Sequence, residues 1–116
     1  MNFNEYQTKA IRTDSFGDVA GKASVTDMAF MSKILGLVGE SGEVAEKFKK
    51  ILRNERGQMS EEQRQELAKE LGDVLWYIAV LAKYLNFELE DVAERNLGKL
   101  LDRKERGVIA SKGDNR

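Results

Sequence analysis

Two short stretches of the chain carry the same arrangement of carboxylates. The first is Glu40-Ser41-Gly42-Glu43-Val44 and the second Glu70-Leu71-Gly72-Asp73-Val74, so each reads Glu-x-Gly-acid-Val. On a helix, residues three apart lie on neighbouring turns of one face, and each copy then presents two carboxylates side by side. Two such helices packed together gather four carboxylates in one cleft, where they repel unless a cation sits among them. With only hard oxygen donors on offer, the expected cation is Mg2+, with Mn2+ as a substitute. The alternative for the same acids is a set of salt bridges to Lys47, Lys50, Lys69 or Arg103.

A carboxylate-held Mg2+ keeps several waters and is commonly completed by phosphate oxygens. Such a cation can activate water for attack on phosphorus and offset charge on the leaving group. Lys47, Lys50, Lys99 and Arg103 are candidate contacts to the outer phosphates, and Asn96 is a candidate contact to sugar or base. The G-x-x-x-x-G-K-[ST] loop is missing, which sets P-loop chemistry aside.

Composition narrows the choices further. The 116 residues include no His and no Cys. Nucleophilic triads, thiolate or imidazole zinc sites and disulfides are excluded. The Glu-x-x-His motif of ferritin-like metal pairs is excluded as well. With 19 basic and 20 acidic residues the net charge is -1, against the basic surplus that nucleic-acid binding needs. Met1 to Tyr6 show no signal-peptide pattern, and no apolar run approaches the roughly 18 residues of a membrane span. A soluble, cytoplasmic protein is expected.

The elements that must position the acids are helical: the chain has no Pro and little strand-like alternation. The expectation is an all-α protomer of four to five helices in one domain, residues 1–106. Its helices fall at about residues 3–14, 27–54, 60–85 and 88–105, with a polar, loosely ordered tail at 107–116. Asn2 or Asn4 caps the first helix, and Ser60 with Gln63 forms a capping box for the third. The loop from Asp14 to Thr26 is long enough to be functional, or is simple slack.

Helical periodicity gives the second helix a core stripe of Met31, Ile34, Val38, Ala45, Phe48 and Leu52. Glu40 lies at its edge and Glu43 further round. The third helix directs Leu67, Leu71, Val74, Ile78, Leu81 and Leu85 to the core, with Glu70 and Asp73 in the matching phase. Gly36, Gly39 and Gly42 each cost roughly 1 kcal/mol in a helix, and close approach of a backbone or ligand would justify them. Trp76, Tyr77, Val80 and Tyr84 form a second apolar side, expected to be a subunit interface or a pocket for a flat ligand. On the fourth helix, Asn96 beside the apolar face is either a satisfied structural amide or one aimed at the site.

Gly39-Glu40-Ser41-Gly42-Glu43-Val44-Ala45-Glu46 and Glu70-Leu71-Gly72-Asp73-Val74-Leu75-Trp76-Tyr77 together resemble the all-α MazG-like nucleoside triphosphate pyrophosphohydrolases. The family motif, E-E-x-x-E followed by E-x-x-D, maps onto Glu40 and Glu43, then Glu70 and Asp73. Asn96-x-x-Lys99-Leu100-x-x-Arg103 fits downstream, and the likeness spans roughly residues 27–107. Gly39 departs from the motif, standing where its first Glu belongs. The resemblance implies Mg2+ held by these four acids, cleavage of a nucleoside triphosphate to monophosphate and pyrophosphate, and dimers or tetramers. Two rivals stand beside it: a non-catalytic helical interaction protein, and a phosphoribosyl-ATP-type pyrophosphohydrolase on the same fold.

Overall fold

The computed structural model describes residues 1–54 and 56–107; the expected tail at 107–116 lies, beyond Gly107, outside the described residues. Four helices and no strands are present among them: α1 (Phe3–Arg12), α2 (Met28–Asn54), α3 (Glu61–Tyr84) and α4 (Leu89–Glu105). No helix among the described residues is long and apolar enough to cross a membrane.

Local chemistry sets the helix ends. Asn2 is the cap of α1, its side chain accepting from the Glu5 amide at 2.9 Å. Asn4 turns instead to α4, where its Oδ1 accepts from the Glu90 amide. Asp27 caps α2 by accepting from the Phe30 amide. Ser60 and Gln63 form the reciprocal capping box at α3. Asn86 takes a left-handed conformation, φ 62°, and ends α3 while the Phe87 amide donates back to Ala82 O. The N-terminus of α4 has no side-chain cap of its own. Buried Gln7 accepts from the Leu89 amide and donates to the carbonyls of Ala79 and Phe87. One polar residue of α1 thereby satisfies backbone at the α3–α4 corner that burial would otherwise orphan.

Helices α2 and α3 form a long antiparallel hairpin, α1 packs on α3 and α4, and α4 packs on α1 and α3 but not on α2. The fully buried side of α3 is the one carrying Ala79, Val80 and Tyr84. Ala79 packs with Ala10 and Leu89, while Val80 and Tyr84 pack with Val19 from the 13–27 loop. Trp76 packs against both groups and donates to Thr13 Oγ1 at 2.7 Å.

The expected core of α3 is therefore corrected. Val80 and Tyr84 are buried and Trp76 and Tyr77 half-buried against the protomer's own α1, α2 and 13–27 loop, so most of the side expected to meet a second subunit or a flat ligand is occupied within the protomer. Half of the α3 stripe expected inside is exposed, at Leu71, Ile78 and Leu85, while Leu67, Val74 and Leu81 are half-buried; Val38, Ala45, Phe48 and Leu52 of the α2 stripe are exposed as well. A helix apolar on both sides leaves open which side the rest of the chain will cover. The 13–27 loop is not slack, because Val19 fills the core and Asp14 pairs with Lys33 of α2.

Candidate metal centre

The hairpin sets the register of the site. Each advance along α2 meets an equal retreat along α3, so that Gly36 faces Tyr77, Glu40 lies with Asp73, and Lys47 reaches Glu66. Tyr77 lies against the α2 backbone so closely that a Cβ at position 36 would overlap the hydroxyl-bearing edge of its ring. Trp76 meets Tyr77 edge-on with ring centres 4.9 Å apart, fixing the ring from behind. Only this one of the three α2 glycines serves a close approach. Gly39 and Gly42 have nothing within 4 Å of a Cβ position.

One turn beyond the Gly36–Tyr77 contact, Glu40, Glu70 and Asp73 meet. Each offers a carboxylate oxygen, and the three oxygens lie within 4.8 Å of one another. Glu40 and Glu70 are half-buried and Asp73 is exposed. Partial burial, then the charges of Asp73, Glu70 and Glu43, hold the Glu40 carboxyl above its ordinary range. This mutual repulsion is the electrostatic condition a divalent cation would relieve, and three carboxylates suit a hard one. The residues present fit Mg2+ or Mn2+.

Glu43 does not join that group. It is exposed on α2 one turn past Glu40, near enough to act on Glu40's charge. The two Glu-x-Gly-acid-Val copies are thus unequal: α3 contributes both acids and α2 contributes one.

Lys47 sits seven residues after Glu40 and pairs with Glu70 at 3.1 Å and Glu66 at 3.7 Å. It also lines a cleft of about 270 Å3 between the ends of α2 and α3, together with Lys50, Gln63 and Glu66. Of the predicted phosphate contacts, Lys47 is joined to the acidic group and Lys50 lines the cleft that Lys47 borders.

The α4 candidates are placed elsewhere. Asn96 and Lys99 line a separate cavity of about 420 Å3 with Leu85 and Phe87. Leu85 lies twelve residues along α3 from Asp73, about 18 Å at the helical rise. Arg103 is buried on α4. Asn96 and Lys99 therefore stand towards the far end of α3 from the acids, where α4 packs against α1 and α3.

Two features near the site escape the sequence pattern. Lys33, seven residues before Glu40, is buried and pairs with Asp14 at 3.1 Å, its ammonium 4.4 Å from the centre of the Phe16 ring. Its position among Phe30, Ile34 and Leu37 was the available signal, since a lysine in an apolar stripe needs an acidic partner. Tyr6 of α1 stands close enough to Asp73 that burial and that charge together raise its phenol. Nothing in its local sequence marks that placement.

Comparison with known proteins bears on the same residues. Residues 29–108 match the family model described as the MazG nucleotide pyrophosphohydrolase domain. The chain is also similar to "Gene 37 protein" of Mycobacterium phage L5, 45% identical over 116 residues that cover the whole of both chains. No solved structure matches. The chain belongs to the MazG nucleotide pyrophosphohydrolase family.

Proposed function

We propose that the protein is a Mg2+-dependent nucleoside triphosphate pyrophosphohydrolase, a single helical domain that releases pyrophosphate and a nucleoside monophosphate. The observation that carries this reading is the meeting of Glu40, Glu70 and Asp73 across the α2–α3 hairpin. Membership of the family supports the reaction class.

Glu40, Glu70 and Asp73 would hold the metal, with Glu43 at its margin. Bound there, a divalent cation would offset phosphate charge and favour attack by water at phosphorus. Glu43 is exposed beside the group and is suited to accept a proton from the attacking water. Lys47 and Lys50, at the adjoining cleft, take the outer phosphates as compact positive charges.

Copies of the chain associate in this reading. The support is the uncovered apolar surface of Leu35 and Val38 on α2, Leu71 and Ile78 on α3, and Leu97 and Leu101 on α4. Leu97 neighbours Asn96 and Leu101 follows Lys99 by two, so an interface there would bring those polar residues near a second copy's hairpin.

The test is incubation with a panel of ribo- and deoxyribonucleoside triphosphates and Mg2+, following pyrophosphate and monophosphate. Equal amounts of both from at least one substrate are expected, and their loss on chelation. If no nucleotide gives pyrophosphate and Mg2+ leaves the melting temperature unmoved, the chain is the non-catalytic helical protein.

A further inference from the structure

The lysine joined to the acids has two places to go. Its ammonium holds Glu70 at 3.1 Å, has a second acceptor in Glu66 at 3.7 Å, and borders the cleft shared with Lys50. Neither member of the pair is sealed: the side chains of Lys47 and Glu70 are 34% and 16% exposed. Lys33 on the same helix face differs on every count. Its side chain and that of Asp14 are 7% and 1% exposed, and the ring of Phe16 closes over its ammonium.

We propose that Lys47 is an internal counter-cation that competes with the metal for Glu70 and, once displaced, turns into the cleft to meet substrate phosphate. This rests on the proposed metal reading of Glu40, Glu70 and Asp73. Without metal, one positive charge beside three carboxylates lowers their repulsion at little cost, since lysine carries its charge on a flexible four-carbon stem. A divalent cation that takes Glu70 competes with the ammonium for the same carboxylate and repels it. Lys47 then stays near Glu66 at the mouth of the cleft, where Lys50 already adds positive charge. Polyphosphate is the ligand class that such a pair of ammonium groups suits. The lysine thereby couples metal loading to phosphate binding, and the order of binding is metal first.

The test is titration calorimetry of the full chain with Mn2+, then with inorganic pyrophosphate in saturating Mn2+. Lys47→Met should bind Mn2+ about two- to fivefold more tightly, the size of a half-exposed ion pair. Its melting temperature without metal should fall, and its pyrophosphate affinity should weaken. Lys47→Arg keeps the charge and should return Mn2+ affinity to the wild-type value. Unchanged or weaker Mn2+ binding by a folded Lys47→Met overturns the competition. If the wild-type chain binds no Mn2+, the metal reading itself falls and this inference with it.

Discussion

Glu40 stands midway between two lysines on α2, Lys33 seven residues before it and Lys47 seven residues after. Both sit on the buried or half-buried side of the helix, and each pairs with an acid from another segment at 3.1 Å. Their surroundings make them opposites. Lys33 is enclosed by Asp14 and Phe16, with Trp76 also near, and ties the 13–27 loop to the hairpin. Lys47 borders an open cleft and pairs with one member of a group of three carboxylates. The same residue type in the same helical phase is closed framework in one place and a part-exposed ion pair beside a cleft in the other. The covering chain, not the lysine, decides which.

This contrast can be broken at either end. The largest effect on stability is expected at the closed end. Lys33→Met leaves the Asp14 carboxylate buried without its cation and should cost about 3–5 kcal/mol, read as a lower midpoint in urea. A midpoint close to wild type would show that the two lysines are alike. At the open end the order reverses. Asp73→Asn should lower pyrophosphate release beyond the roughly hundredfold typical of residues that only support a ligand, with the urea midpoint held or raised, because one repelling charge is gone.

Glu43→Gln sharpens the picture within the open end. Turnover should fall by about a hundredfold, as loss of a positioned base does, while Mn2+ affinity stays close to wild type. Equal loss of Mn2+ binding in Glu43→Gln and Asp73→Asn would restore the symmetric reading of the two copies. Gly36→Ala tests the joint between the ends. Displacing the Tyr77 ring should cost about 1–3 kcal/mol, the usual penalty of overpacking, and should weaken Mn2+ binding as Glu40 shifts from Asp73.

The smallest effect expected is with pH. Glu40 binds its proton more tightly folded than unfolded, so its contribution to stability is full below the unfolded carboxylate pKa. That contribution is lost as pH rises through the higher folded value. Metal affinity moves the other way and falls as the pH drops into that same range, since a protonated carboxyl is a poor ligand. Melting curves with and without Mn2+ across this window should converge at its acid end.

Much of this arrangement is legible in the chain alone. The Ser60–Gln63 box and the helical periodicities point to helices, and the phases of Glu40, Glu70 and Asp73 point to one cleft. The covered side of α3 is not legible. Leu71, Ile78 and Leu85 are as apolar as Trp76, Val80 and Tyr84, and only the path of α1 and its loop distinguishes the two stripes. Likewise Glu43 matches Asp73 in charge and phase, yet the packing of the hairpin leaves it outside the group. Asn96 and Lys99 are chemically apt for a nucleotide, but their distance from the acids is set by where α4 docks. Lys33 carried a local clue. Its partner, Asp14, lies nineteen residues earlier in the chain, beyond any helical spacing.

The most direct test of the central claim is a Mn2+ titration of the wild-type chain beside Asp73→Asn, by calorimetry and by melting temperature. The prediction is that Mn2+ binds the wild type and raises its melting temperature, and that a folded Asp73→Asn loses both responses. Undiminished Mn2+ binding in Asp73→Asn would contradict the assignment of Glu40, Glu70 and Asp73 as the metal centre.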